Sequence, residues 1–266
     1  MKKIIEAFVL LSLILGIGFE LETRGFIFPQ KINSSENLSV IALTFDDGPN
    51  EKNLPLILEL LEKEDVKATF FFVGWRVLKN RDLAVKTASL GHEIANHSFG
   101  HERLDRVGEK SAIESVNKAQ EAIENATGRT PKFFRPPFWM ITKPLKEKIE
   151  SRGLTVMTLG VVADLKTKKL IKEKTALERL DLNTEDYEFT RNYLNNKNKS
   201  IGNLIDNVKR IVKKRDNAGI KYHILVFHEL EISTKALEEL IPHFKSRRYK
   251  FVILSKYFEE LNGGGI

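Results

Sequence analysis

The 266-residue chain contains no cysteine. That excludes disulfides, thiolate zinc sites and a cysteine nucleophile. It leaves the compartment open, because a domain of this size can be secreted without disulfides. There is no internal repeat. No nucleic-acid motif accompanies the net charge of +7, so the positive excess is not read as DNA or RNA binding. The lysines are dispersed, with local concentrations at Lys166 to Lys174 and Lys209 to Arg215. One reading is a solvated lysine-rich surface. The other is attraction to an anionic envelope of phospholipid, acidic polysaccharide or wall polymer. Long apolar runs are scarce. Ala7 to Phe19 carries no charge and follows Lys2 and Lys3. It is short for a membrane span and suits the apolar part of a signal peptide. Glu6 is an awkward charge before it, and no clear A-x-A cleavage site follows, so an uncleaved anchor stays open.

What remains is ordinary globular composition, 42% apolar and 30% charged, with length for one sizeable core. After an irregular lead-in around Pro29, strand-like and helix-like stretches alternate. Strands are expected at Val40–Phe45, Ala68–Val73, Glu93–Asn96, Phe133–Phe134, Thr155–Val162, His223–Phe227 and Tyr249–Ile253. Helices are expected at Leu54–Glu64, Leu83–Leu90, Ser111–Ala126, Pro144–Ser151, Ile201–Arg215 and Thr234–Lys245, with Ser255 capping a last one. Residues 166–200 are charged, rich in Asn and Lys, and without period; they read as a surface insertion. Such alternation implies parallel strands covered by helices, as a barrel or a doubly wound sheet. In both, ligands bind beyond the carboxyl ends of the strands.

The chemically unusual residues fall at that end. Asp46 and Asp47 follow the first strand, at the Gly48-Pro49 turn. His97 and His101 follow the third, Arg135 the fourth, Asp164 the fifth and His228 the sixth. Adjacent carboxylates at the mouth of a buried strand are costly unless paired. An Asx-turn is the plain reading of Asp46 and Asp47; a metal ion or a proton in transit is the other. Two imidazoles four residues apart, with one carboxylate, form a two-histidine, one-carboxylate site with open positions. Arg135-Pro136-Pro137-Phe138 is a rigid turn carrying a permanent cation, either solvated or orienting a carboxylate. His228 emerges from the apolar run Ile224 to Phe227, as a core histidine or as an acid–base group. His92, His223 and His243 have no partner motif.

In this order, Thr44-Phe45-Asp46-Asp47-Gly48-Pro49, His97-Ser98-Phe99-Gly100-His101, Arg135-Pro136-Pro137-Phe138 and Val226-Phe227-His228 resemble the motifs of the polysaccharide deacetylases of NodB-homology type, carbohydrate esterase family 4. The resemblance runs from about Val40 to Leu261. It implies an α/β fold, a distorted (β/α) barrel of about seven parallel strands. Together with the composition of the two ends, the resemblance divides the chain into a signal peptide or anchor (1–22), a linker (23–38) and a catalytic domain (39–262) with an insertion at about 166–200. It implies Asp46 as general base, Asp47, His97 and His101 as metal ligands, Arg135 as the group orienting Asp46, and His228 as general acid. Asp164 takes the place of the family aspartate that tunes that histidine.

Three departures bear on the substrate. Leu165 stands where the family has Trp, Val226 where it has Leu, and Trp139 where a small residue often follows the third motif. Pro137, Phe138, Trp139, Leu165 and Val226 are therefore the expected substrate-binding residues. The implied cofactor is a divalent metal, Zn2+ first, with Co2+, Ni2+ or Fe2+ also suited to these ligands. The implied reaction is removal of N-acetyl groups from an amino-sugar polymer such as peptidoglycan, chitin or poly-N-acetylglucosamine. The alternatives are a deacylase or deformylase of a lipid-linked sugar, an O-acetyl xylan esterase, or a non-catalytic carbohydrate-binding relative. The expected place is outside the cell or in its envelope, either secreted or associated with a membrane through the N-terminal segment, with a carbohydrate substrate and no nucleic-acid partner.

Overall fold

The computed structural model describes residues 38–158, 161–164, 169–172, 181–183 and 197–261. The expected leader and linker, Leu165 and most of the insertion lie outside the described residues. Leu38–Ile266 forms one compact unit. Among the described residues no helix is long and apolar enough to cross a membrane.

The main sheet contains β1 (Val40–Gly48), β2 (Thr69–Phe72), β3 (Glu93–Asn96), β4 (Phe133–Phe134), β5 (Thr155–Val156), β8 (Asp181–Asn183), β9 (Tyr222–His228) and β10 (Lys250–Val252). Its order is β5-β4-β3-β2-β1-β9-β8, with β10 also paired to β1. Every pairing in it is parallel. This is the expected distorted (β/α) barrel, with eight strands in the sheet instead of seven. The added strand is β8, inside the stretch expected to be a surface insertion. It pairs with β9 through Asp181, Leu182 and Asn183. The expected strand Thr155–Val162 is two pieces. β5 stays in the main sheet, and β6 (Val161–Asp164) forms a separate antiparallel pair with β7 (Lys169–Lys172).

The helices are α1 (Leu54–Lys63), α2 (Gly74–Lys79), α3 (Arg81–Ser89), α4 (Glu109–Thr127), α5 (Lys143–Glu150), α6 (Lys197–Asn217), α7 (Glu231–Lys245) and α8 (Leu254–Leu261). In α1, Leu54, Ile57, Leu58 and Leu61 are buried at helical spacing, the apolar stripe a core-facing helix needs. Gly128 ends α4 at φ 66°, its N–H returning to the Glu124 carbonyl, a left-handed cap that glycine adopts without a Cβ penalty. Ser255 does not cap α8 from outside. It lies in the first turn, and its N–H and hydroxyl both donate to the Glu93 carboxylate, which takes the place of a capping side chain at the positive end of the helix.

The period of two along the strands divides the core in two. Ile41, Leu43 and Phe45 of β1, Phe70 and Phe72 of β2, and Leu225 and Phe227 of β9 face the helix layer of α1, α3, α6 and α7. Val40, Ala42, Phe71, Ile224 and Val226 face the other way, onto Tyr257 and Leu254 of α8. Phe45 stacks on Phe70 with ring centroids 4.9 Å apart. Burying each such ring contributes about 1.5–3 kcal/mol, so the middle strands are held firmly where they must present the site.

Candidate active site

Following that alternation upward, Thr44 and Asp46 continue the inner face of β1 and His228 that of β9. The register places Asp46 directly beside His228. Neighbouring strands lie about 4.8 Å apart, so a carboxylate and an imidazole project from adjacent positions. β1 does not stop at Phe45. It runs on through Gly48, with its register against β2 slipping between Asp46 and Gly48. Asp47 is the residue in the slip, at φ 68°. In a regular strand Asp46 and Asp47 would point to opposite faces. The bulge re-aims Asp47 instead.

Oδ1 of Asp47 lies 3.2 Å from Nε2 of His97 and 2.9 Å from Nε2 of His101. Neither approach has hydrogen-bond geometry, and this buried oxygen has no hydrogen-bond partner. Nδ1 of His97 donates to the Arg135 carbonyl at 2.7 Å. A carbonyl only accepts, so the proton is on Nδ1 and the Nε2 lone pair faces Asp47. That is the tautomer a metal ligand needs. Among the described residues this trio is the only group of three or more such side chains whose donor atoms converge. The donor set of two imidazoles and one carboxylate fits a divalent cation.

Arg135 is fully buried. Its Nη1 donates to Oδ1 of Asp46 at 2.7 Å and to the Thr44 hydroxyl at 3.0 Å. The guanidinium lies 3.9 Å from the Phe71 ring centroid and 4.8 Å from that of Trp139. It is thus clamped between two aromatic faces, a stacking only its planar group allows. One residue serves two functions here, its side chain fixing Asp46 and its carbonyl fixing the tautomer of His97.

The expected substrate-binding residues separate. Phe138 is 53% exposed, its ring 4.8 Å from that of His101. Trp139 is half-buried over Arg135, and Pro137 is buried. Val226 is fully buried in the inner core below His228, so it forms floor, not wall. Asp164 ends β6, in the separate antiparallel pair; it does not follow a strand of the main sheet. Of seven non-glycine residues at positive φ among the described residues, five are Asp47, Ser98, His101, Phe138 and Trp139. Such conformations cost about 1–3 kcal/mol each and concentrate at functional sites.

Glu229 went unnoticed in the sequence. It is 2% exposed, and its Oε2 accepts from the Asn50 N–H at 2.5 Å. Burial pushes its carboxyl up to about 8, the Asn50 N–H and Arg76 opposing and Asp47 adding to the rise. A Cβ on Gly48 would lie 1.8 Å from its Oε1, so this close approach requires glycine. The acid directly after His228 was the available signal.

The sequence model of the family Polysaccharide deacetylase matches residues 33–157. Over that stretch, a little under half of its length, the chain is similar to the polysaccharide deacetylases. Among curated relatives, the peptidoglycan-N-acetylglucosamine deacetylase PgdA of Listeria monocytogenes is 28% identical over 221 residues, covering 83% of this chain and 39% of that protein. The chain thus spans well under half of that relative's length. A peptidoglycan-N-acetylglucosamine deacetylase of Bacillus cereus is 28% identical over 243 residues, covering 89% of this chain and 95% of its own. The solved structure of peptidoglycan deacetylase PdaC from Bacillus subtilis superposes with a TM-score of 0.63 at 28% identity, covering 85% of this chain and 92% of that one. The parallel sheet and the ordered motifs at its carboxyl end agree with this likeness.

Proposed function

We propose that the chain is a metal-dependent hydrolase that removes N-acetyl groups from amino sugars of an envelope polymer, with peptidoglycan as the first candidate. The observation that carries this reading is the buried Arg135–Asp46 pair, placed beside the Asp47, His97 and His101 trio and linked to it through the Arg135 carbonyl. A mere binding protein has no use for an oriented base next to a ligand set. The printed activities of the Listeria and Bacillus relatives agree with the substrate class.

Asp47, His97 and His101 would hold the cation, Zn2+ by preference. When bound, such a cation polarises the substrate carbonyl and acidifies water. Asp46 takes the proton of the attacking water at Oδ2, because Arg135 occupies Oδ1. Arg135 also keeps the carboxylate plane from rotating. A backbone N–H near Phe138 would support the developing oxyanion. His228, one strand away from Asp46, gives a proton to the departing amine nitrogen, which leaves poorly without one. The products are acetate and a free amino sugar. The exposed ring of Phe138 offers an apolar face beside His101 on which a sugar can rest. The positive excess of the chain favours an anionic envelope, and the N-terminal segment is proposed to direct the protein there or to hold it at a membrane.

The test is acetate release from peptidoglycan, chitooligosaccharides, poly-N-acetylglucosamine and acetylated xylan in parallel, before and after chelation. Release from an amino-sugar polymer that chelation abolishes and Zn2+ restores is expected. Activity untouched by chelation, or confined to xylan, overturns the reading.

A further inference from the structure

The two histidines sit on a turn whose backbone is unfavourable by itself. Ser98 and His101 have φ of 63° and 60°, the left-handed region that side chains rarely adopt. Every backbone N–H from 98 to 101 is nevertheless taken up by a side chain. Ser98 N–H donates to Oδ1 of Asn96 at 2.9 Å, and Phe99 N–H to the Ser115 hydroxyl at 2.9 Å. Gly100 N–H donates to Oε1 of Glu102 at 3.1 Å, and His101 N–H to the Ser98 hydroxyl at 3.1 Å. On the other side, the carbonyls of Ser98 and Phe99 accept from Gly74 and Trp75 at the start of α2.

Glu102 is the hub of this arrangement. Its Oε2 accepts the hydroxyl protons of both Ser98, at 3.0 Å, and Ser115, at 2.8 Å. A hydroxyl has one proton to give. Once each proton is committed to the carboxylate, each serine oxygen must face a backbone N–H as acceptor. One carboxylate thereby sets three of the four N–H bonds, one directly and two through the serines. It makes no contact with the convergent donor atoms themselves.

We propose that Glu102 is a positioning residue that sets the affinity of the Asp47, His97 and His101 centre for a divalent cation by holding the His97–His101 turn in its strained form. The inference rests on reading that trio as a cation site. Groups behind the ligands of a metal centre commonly change its affinity 10–100-fold. An amide cannot replace this carboxylate. Three donors converge on its two oxygens, and one end of a glutamine would meet them with donors of its own. Aspartate keeps the acceptors on a shorter stem.

The experiment measures Zn2+ affinity by competition with a chromophoric chelator, and the melting temperature of the metal-free protein. Wild type, Glu102→Gln, Glu102→Asp and Ser115→Ala are compared. Glu102→Gln is expected to weaken Zn2+ binding about 10–100-fold, Ser115→Ala to weaken it less, and Glu102→Asp to recover part of the loss. The metal-free melting temperatures should stay close together, because the strained turn relaxes when it is released. Wild-type affinity in Glu102→Gln overturns the proposal, as does a lowered metal-free melting temperature with unchanged affinity. Should Glu102→Gln not fold, Ser115→Ala alone decides in the same way. If the wild type itself binds no Zn2+ stoichiometrically, the cation-site reading fails first, and that result is distinct from equal affinities.

Discussion

Two partly buried clusters, each built around an aspartate and a buried histidine, lie at opposite ends of the same strands. At the amino end, Asp216 of α6 accepts from the hydroxyls of Ser39 and Tyr249 and from Nε2 of His223. Arg215 donates to the other ring nitrogen of His223. The atoms of this carboxylate and imidazole are all engaged with each other or with neighbours. At the carboxyl end, Asp47 faces two imidazoles with an oxygen that no hydrogen bond satisfies, on backbone of positive φ. The residue types are nearly the same. The lower cluster is satisfied by what the chain supplies and clasps β1, β9 and β10 together. The upper one is arranged for something the chain does not supply. Unsatisfied geometry on strained backbone, not the presence of Asp and His, separates a site from a clasp.

The largest contrast is expected from removing ligands. Asp47→Ala or His97→Ala should abolish stoichiometric metal binding and acetate release together, while Asp216→Asn keeps the metal; elemental analysis of the purified variants decides. Next comes Asp46→Asn, which should retain metal and lose about 10²–10⁴-fold in turnover. Full activity there would remove Asp46 as base. Arg135→Ala leaves the Asp46 carboxylate buried without its cation. A broken buried pair costs about 3–5 kcal/mol, readable as a lower urea midpoint; an unchanged midpoint would mean that water repairs the gap.

The smallest effect belongs to the lower cluster. Asp216→Asn should cost about 1.5–3 kcal/mol, the range for hydrogen bonds to a charged group, with turnover unchanged. Its pH signature is specific. Burial raises the Asp216 carboxyl, but Tyr249, Ser39 and His223 lower it further, to a net fall below 3.8. Burial lowers His223 below 6.5 although Asp216 opposes it. Both groups bind protons more readily in the unfolded chain. The contribution of this pair is therefore full above about pH 6.5 and falls below it as His223 resists protonation. It falls again below about 3.8 as Asp216 does. Denaturant titrations across pH should show the lower step vanish in Asp216→Asn and the upper one persist.

Much of the fold was legible in the chain, because alternation of two-residue and 3.6-residue apolar periods marks buried strands and covering helices directly. β1, β2, β3, β4 and β9 lie where those patterns put them. β8 was not legible. Asp181-Leu182-Asn183 carries one apolar residue and joins the sheet only because β9 offers it an open edge. The short helix α2 was hidden in the same way, between a strand and α3, with only six residues to display a period. At the site, Asp46, Asp47, His97, His101, Arg135 and His228 were marked by charged or titratable types at the ends of apolar runs. Glu102 and Glu229 were not, since a glutamate in a turn reads as solvated until its neighbours are known.

The order of residues by itself determined which strands are buried, which end of them carries the chemistry, and which family motifs appear there. Those are local matters of apolar period, turn chemistry and residue type. Only the tertiary structure decided that Asp47 bulges toward His97 and His101, that the Arg135 carbonyl sets an imidazole's tautomer, and that Glu102 holds the histidine turn. These depend on contacts between residues up to about fifty positions apart, and on backbone conformations that no local preference favours.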